Sequence, residues 1–122
     1  HTDGGSDKIA SLRSTPNAQL MIWDEKAKLQ IRLSTTVEID QGASVADRWQ
    51  NVPDGSRMAY GAAPTPGTPI PHAHAYEKLA SREWFTVMTC RIDSIELMQL
   101  VDPHRRAVYK AENDWIGAWI VP

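Results

Sequence analysis

A mainly β domain, built as a small antiparallel barrel with peripheral helices, is the fold class this sequence predicts. Three observations predict it. Apolar and polar residues alternate over a long stretch from Leu29 to Ile39, roughly six strand-like segments stand against two short helical ones, and the regular strand-helix alternation of a parallel sheet is missing. With 122 residues, 42% of them apolar, the chain has material for one core, so a single domain over residues 1–122 is expected and a multidomain enzyme is excluded.

The segments follow in order. Ser6 or Asp7 can cap a short helix, because Ile9, Ala10 and Leu12 recur at helical spacing until Pro16-Asn17 stops them. Ala18 to Trp23 is an apolar strand-like run, and Asp24 to Lys28 is a polar turn. From Leu29 to Ile39, Leu29, Ile31, Leu33, Val37 and Ile39 fall on one face and Gln30, Arg32, Ser34, Thr36 and Glu38 on the other, the mark of a half-buried strand. The two strands and their short connection predict an antiparallel hairpin. Gln41-Gly42 breaks the strand, and Ala43 to Val52 has helical spacing through Val45, Ala46 and Trp49 before Pro53-Asp54-Gly55. Pro64, Pro66, Pro69 and Pro71 mark Ala62 to His74 as a surface loop, since proline lacks the donor a ladder needs. Glu83 to Ile92 and Asp93 to Val101 have strand composition, as do Ala107 to Lys110 and Trp115 to Val121 around the turn Glu112-Asn113-Asp114.

Charge and cysteine content narrow the function classes. Thirteen Lys and Arg against fifteen Asp and Glu give a net charge of -2, too little basic field to gather nucleic acid or anionic lipid. No apolar run approaches the roughly 20 residues of a membrane-spanning helix, and no stretch resembles a signal peptide, so a soluble cytosolic protein is expected. The lone cysteine, Cys90, lies in the apolar run Thr86 to Arg91 and is expected to be a buried packing residue. The chain opens on His1 rather than a methionine, from which strands preceding it are expected.

Several constellations could carry chemistry. Thr2-Asp3-Gly4-Gly5-Ser6-Asp7-Lys8 places glycines, a hydroxyl and an ammonium at the mouth of a helix, where exposed N–H groups and the dipole favour an anion; an ordinary helix cap has the same composition. Gln30 and Arg32 lie on the polar side of the long strand, facing either water or a partner. His72-Ala73-His74 has metal-ligand spacing but no third ligand nearby, and solvated loop histidines are the simpler account. No Gly-x-Ser-x-Gly turn or Ser-His-acid set stands out. The tryptophans at 23, 49, 84, 115 and 119 are read as core and interface anchors, with few basic residues between them to make a nucleotide-stacking surface.

Taken together, His1 to Lys8, Pro16-Asn17-Ala18, Gln30-Ile31-Arg32-Leu33, Ala46-Asp47-Arg48-Trp49, Ser56-Arg57-Met58-Ala59-Tyr60, Pro66-Gly67, Ile95 to Leu100, His104-Arg105-Arg106 and Trp119-Ile120-Val121-Pro122 closely resemble the pyridoxamine 5'-phosphate oxidase-like family of FMN-binding split barrels. The resemblance covers nearly the whole chain and rests on the order of these motifs. It implies a split-barrel homodimer with FMN at sites across the subunit interface. His1 and Thr2 match positions that contact the flavin or its phosphate, and Ser6 falls in the same turn. Lys8 matches the lysine that pairs with the phosphate, Gln30 a glutamine that hydrogen-bonds the flavin, and Arg106 a late arginine reaching the cofactor. The sequence also departs from the family. Gly5 stands where relatives with the same opening carry arginine, Asp7 where the vitamin oxidases do, Met98 replaces a tryptophan near the flavin, and Asp102 or Pro103 replaces a substrate-contacting arginine. What the resemblance implies is an FMN-dependent oxidoreductase of unspecified substrate, or a non-catalytic flavin- or ligand-binding dimer, rather than a vitamin B6 oxidase.

Overall fold

The computed structural model describes residues 1–122 and is mostly antiparallel β. Its strands are β1 (Thr2–Asp3), β2 (Asn17–Asp24), β3 (Leu29–Gln41), β4 (Ala62–Ala63), β5 (Glu77–Lys78), β6 (Phe85–Gln99), β7 (Arg105–Lys110) and β8 (Ala118–Ile120). Its helices are α1 (Asp7–Ser14), α2 (Ala46–Gln50) and α3 (Asp54–Arg57). The main sheet runs β2-β3-β6-β7-β8 with β1 paired to β6, and β4 and β5 form a separate ribbon. This bears out the antiparallel expectation, but the sheet is open, ending at β2 and β8.

Two compact units share these strands, one comprising 1–16 and 38–89, the other 17–37 and 90–122. The first is built around an aromatic cluster. Phe85, fully buried, meets Tyr60 edge to face with centroids 5.0 Å apart, Trp49 at 5.2 Å and His1 at 4.8 Å. Val45, Val52 and Val87 complete the core, with Trp84 packed on it. Each such ring pair contributes about 0.5 to 1.5 kcal/mol beyond the area it buries, which fixes how α2 and α3 lie on the start of β6.

The second unit contains the hairpin the sequence predicts, with β2 and β3 in register from Asn17↔Thr36 to Asp24↔Leu29. Its turn is closed by Asp24, whose carboxylate accepts the N–H groups of Lys26 at 2.9 Å and Ala27 at 3.0 Å. β6 and β7 pair from Ser94↔Lys110 to Gln99↔Arg105, and β8 adds through Arg106↔Ile120. Directly paired residues share a sheet face, and the Arg32–Glu96 contact links β3 to β6, so one face carries Gln30, Arg32, Met98 and Arg106, and the other, lining one cavity, Leu29, Leu97, Ala107 and Trp119.

Several expectations are corrected. The expected helix from Ala43 begins as a 3-10 turn, Gly42–Val45, and only then becomes α2. The opening Thr2–Asp3, expected as a turn, pairs with β6. The proline-rich segment is mostly loop, yet Ala62–Ala63, just ahead of the first proline, still has donors to pair with β5. The two strands expected between Glu83 and Val101 are the single β6, because nothing between Ile92 and Asp93 breaks the ladder. The last strand is only Ala118–Ile120, since Asp114 and Trp115 adopt positive φ. Cys90 is half-buried, not buried, because full burial on β6 is confined to Phe85–Val87 beside the aromatic cluster.

Candidate functional site

The expected site residues fall in both units: His1, Thr2, Ser6 and Lys8 in the first, Gln30 and Arg106 in the second. Around the first four, the organiser is a residue not singled out by sequence, Asp3. Its buried carboxylate accepts the N–H of Gly5 at 2.7 Å and of Gly61 at 2.6 Å. Gly4 donates to the Trp84 carbonyl at 2.7 Å, and Thr2 is locked opposite Thr86. Side chains are excluded here: a Cβ on Gly4 would collide with the Gln41 amide and sit 2.7 Å from Thr86 Oγ1, and one on Gly5 would lie 3.0 Å from the Trp84 ring. Trp84 thus fills the space beside Gly5.

The turn delivers the chain into α1. The Ser6 hydroxyl donates to the Asp3 carbonyl at 2.8 Å and makes no cap bond to the helix, so capping by the Ser6 side chain, one of the two options in the sequence, is not observed. Ile9, 1% exposed, anchors the helix, and Arg13 near its end bonds the Gln41 side chain. Lys8 is exposed and makes no ion pair, while the Asp7 carboxylate lies against Gly67, where a Cβ would be 3.0 Å from it. The start of α1 therefore offers a free ammonium.

A cleft of about 380 Å³ in the same unit is lined by His1, Arg48, Asn51, Pro53, Ser56 and Tyr60. Arg48 and Asn51 stand three residues apart across the end of α2, which brings their side chains to one side. The sequence signal was the Ala46 to Trp49 motif, to which no role could be given without the fold.

In the second unit Gln30 and Arg106, remote in sequence, stand on one sheet face. Gln30 donates to Met21 Sδ across the hairpin at 2.9 Å. Arg106 donates through Nη2 to Glu96 at 2.9 Å and through Nη1 to the Val121 carbonyl at 3.4 Å. Glu96 also accepts from Arg32 Nη1 at 3.4 Å, so one carboxylate holds two guanidiniums. Arg106 Nε is buried and has no acceptor. On the opposite face a smaller cavity of about 140 Å³ is lined by Leu29, Leu97, Gln99, Tyr109 and Trp119. Neither Glu96 nor Arg32 was assigned a role from sequence; the alternation that puts both on polar faces was the available signal.

No group of three or more His, Cys, Asp or Glu side chains could hold a metal ion, and His72 and His74 are exposed in the proline-rich loop. No helix is long and apolar enough to cross a membrane.

Comparison with known proteins supports the fold. No family model matches the sequence, and no curated protein does. Among solved structures, 99% of the chain is similar to a pyridoxamine 5'-phosphate oxidase-related, FMN-binding protein of Nostoc punctiforme PCC 73102, with a TM-score of 0.76 and 21% identity over 71% of that protein. The same share of the chain is similar to PhzG of Burkholderia lata 383, solved with tetrahydrophenazine-1-carboxylic acid, with a TM-score of 0.66, 15% identity and 66% of that protein covered. The chain thus spans about two thirds of the PhzG chain and somewhat more of the Nostoc protein. The fold is that of the pyridoxamine 5'-phosphate oxidase-like split barrels.

Proposed function

We propose that this chain binds FMN as part of a cytosolic flavin-dependent oxidoreductase and works as a homodimer with the cofactor at the subunit interface. The likeness to an FMN-binding protein of the same fold supplies the ligand. The observation that carries the proposal is the polar face of the second unit. There Gln30 and Arg106 stand on one sheet face, and Arg106 Nε is a buried donor without an acceptor. A buried donor left unpaired costs about 1 to 3 kcal/mol, and a ring edge rich in carbonyl and nitrogen acceptors would satisfy it. The unpaired Lys8 at the start of α1 fits a phosphate, with His1 and Thr2 at the opening strand and Ser6 in the turn that follows it. When bound, FMN supplies the electron-transfer chemistry. The chain's own residues hold and orient it, Lys8 by charge, Gln30 by an amide that donates and accepts, and Arg106 by its guanidinium.

Dimerisation is supported by apolar side chains exposed on the sheet edges. Leu20, Met21, Ile22 and Trp23 follow one another along β2 and are 42–65% exposed, and Trp119 is 77% exposed. Exposed apolar residues on both faces of an edge strand mark association surfaces. A non-catalytic, weakly binding dimer is favoured by one observation, the acidic Asp7 in the first turn of α1 where a dianion would sit.

The test is the absorption spectrum of the purified protein together with an FMN titration followed by fluorescence quenching. A yellow protein that quenches FMN is expected, and reduction by a nicotinamide cofactor separates the oxidoreductase from the inert dimer. A colourless protein that leaves FMN fluorescence unchanged overturns the proposal.

A further inference from the structure

We infer that Glu96 is a positioning residue of the flavin face, holding Arg32 and Arg106 so that the face presents one net positive charge beside Gln30. This rests on the FMN reading above. Glu96 stands on β6 between the strands that carry the two arginines, and its two oxygens are divided between them, Oε1 to Arg32 at 3.4 Å and Oε2 to Arg106 at 2.9 Å. The Glu96 side chain is only 22% exposed and that of Arg106 only 30%, so the pairing is poorly screened by solvent.

Two guanidiniums against one carboxylate leave this cluster a single positive charge, while Lys110, opposite Ser94 on the same face, is paired with Glu112. Arg32 lies two residues along β3 from Gln30, hence on the same side of the sheet. A cation held beside an acceptor-rich ring edge stabilises the form of the ring that carries negative charge, the reduced form. The charge on this face therefore tunes the potential of the bound cofactor, and Glu96 sets that charge by offsetting one arginine. Arg32 becomes a second arginine of the face, held through Glu96 and not through the ligand.

The test is the midpoint potential of protein-bound FMN in the wild type, Glu96→Gln, Arg32→Gln and the double variant. Removing the carboxylate raises the charge of the face and should move the potential upward. Removing Arg32 lowers it and should move the potential downward, and the double variant, with the original net charge, should return towards the wild type. Loss of packing alone would move both single variants the same way and the double variant further still. Arg32 is 42% exposed, so Arg32→Gln decides the matter should Glu96→Gln fail to fold. Shifts of one sign in both single variants, or an Arg32→Gln potential that is unchanged or raised, overturn the inference while leaving FMN binding in place. A wild-type protein that binds no FMN overturns both.

Discussion

The Asp3 carboxylate accepts the backbone N–H of Gly61 at 2.6 Å, joining the strand that opens the chain to a loop 58 residues further on. The same carboxylate holds the N–H of Gly5 at 2.7 Å, so one buried side chain sets both the entry to α1 and the start of the β4-β5 ribbon. Asp3→Ala leaves one buried and one partly buried donor without acceptors and should lower stability by about 3 kcal/mol, the scale of hydrogen bonds to a charged group. The denaturant midpoint, at unchanged slope, measures this, and a loss below about 1 kcal/mol would show that the turn holds without its carboxylate.

Gly4→Ala should be costly for a different reason. The added methyl has no room between the Gln41 amide, Thr86 Oγ1 and the Trp84 carbonyl, and overpacking of this kind costs about 1 to 3 kcal/mol. Gly55→Ala, with open space around it, serves as the comparison in the same melting experiment.

Lys8→Ala should weaken FMN binding by about 1.5 to 3 kcal/mol, at the lower end because the ammonium is exposed, without changing the melting temperature. The loss should shrink as salt is added. Titration at low and high ionic strength checks both points, and an unaltered affinity places the phosphate elsewhere.

Replacing Met21 and Trp23 together by lysine should turn a dimer into a monomer, because both side chains lie on the same exposed face of β2. Sedimentation over a concentration series reads the result; a dimer that persists in the variant moves the interface away from β2.

The hairpin turn should show its own pH response. Hydrogen bonds from Lys28 and then Trp23 hold the Glu25 carboxyl below its ordinary range. A carboxyl with its folded value lowered stabilises the fold above its unfolded pKa, and that contribution is lost as pH falls through the folded value. An NMR titration of the Glu25 side chain should find its midpoint below the ordinary glutamate range, and Lys28→Ala should move it back up.

The long alternation of Leu29 to Ile39 was legible in the sequence because side-chain period and sheet geometry coincide there, and the hairpin to β2 followed from the polar turn. The helix start at Asp7 was legible from spacing and Pro16. Asp3 was not, since its partners are backbone N–H groups, one of them brought close only by the fold. The same holds for Glu96, whose arginines lie on strands 64 residues away and 10 residues away in sequence. Cys90 was misjudged because apolar neighbours in sequence do not say how far along a 15-residue strand the core extends. The free ammonium of Lys8 agrees with the local pattern, whereas the closing of Trp84 over Gly5 could be seen only in three dimensions.

β2 ends the main sheet, so one row of its peptide groups has no neighbour while its side chains Leu20 to Trp23 are oily on both sides. A strand of that character is a template for end-to-end accretion, since another copy of itself could lay down the next rung and expose the same edge again. Closed two-fold assembly ends that progression by consuming the edge, so for this chain pairing would guard against fibre growth as well as complete a site.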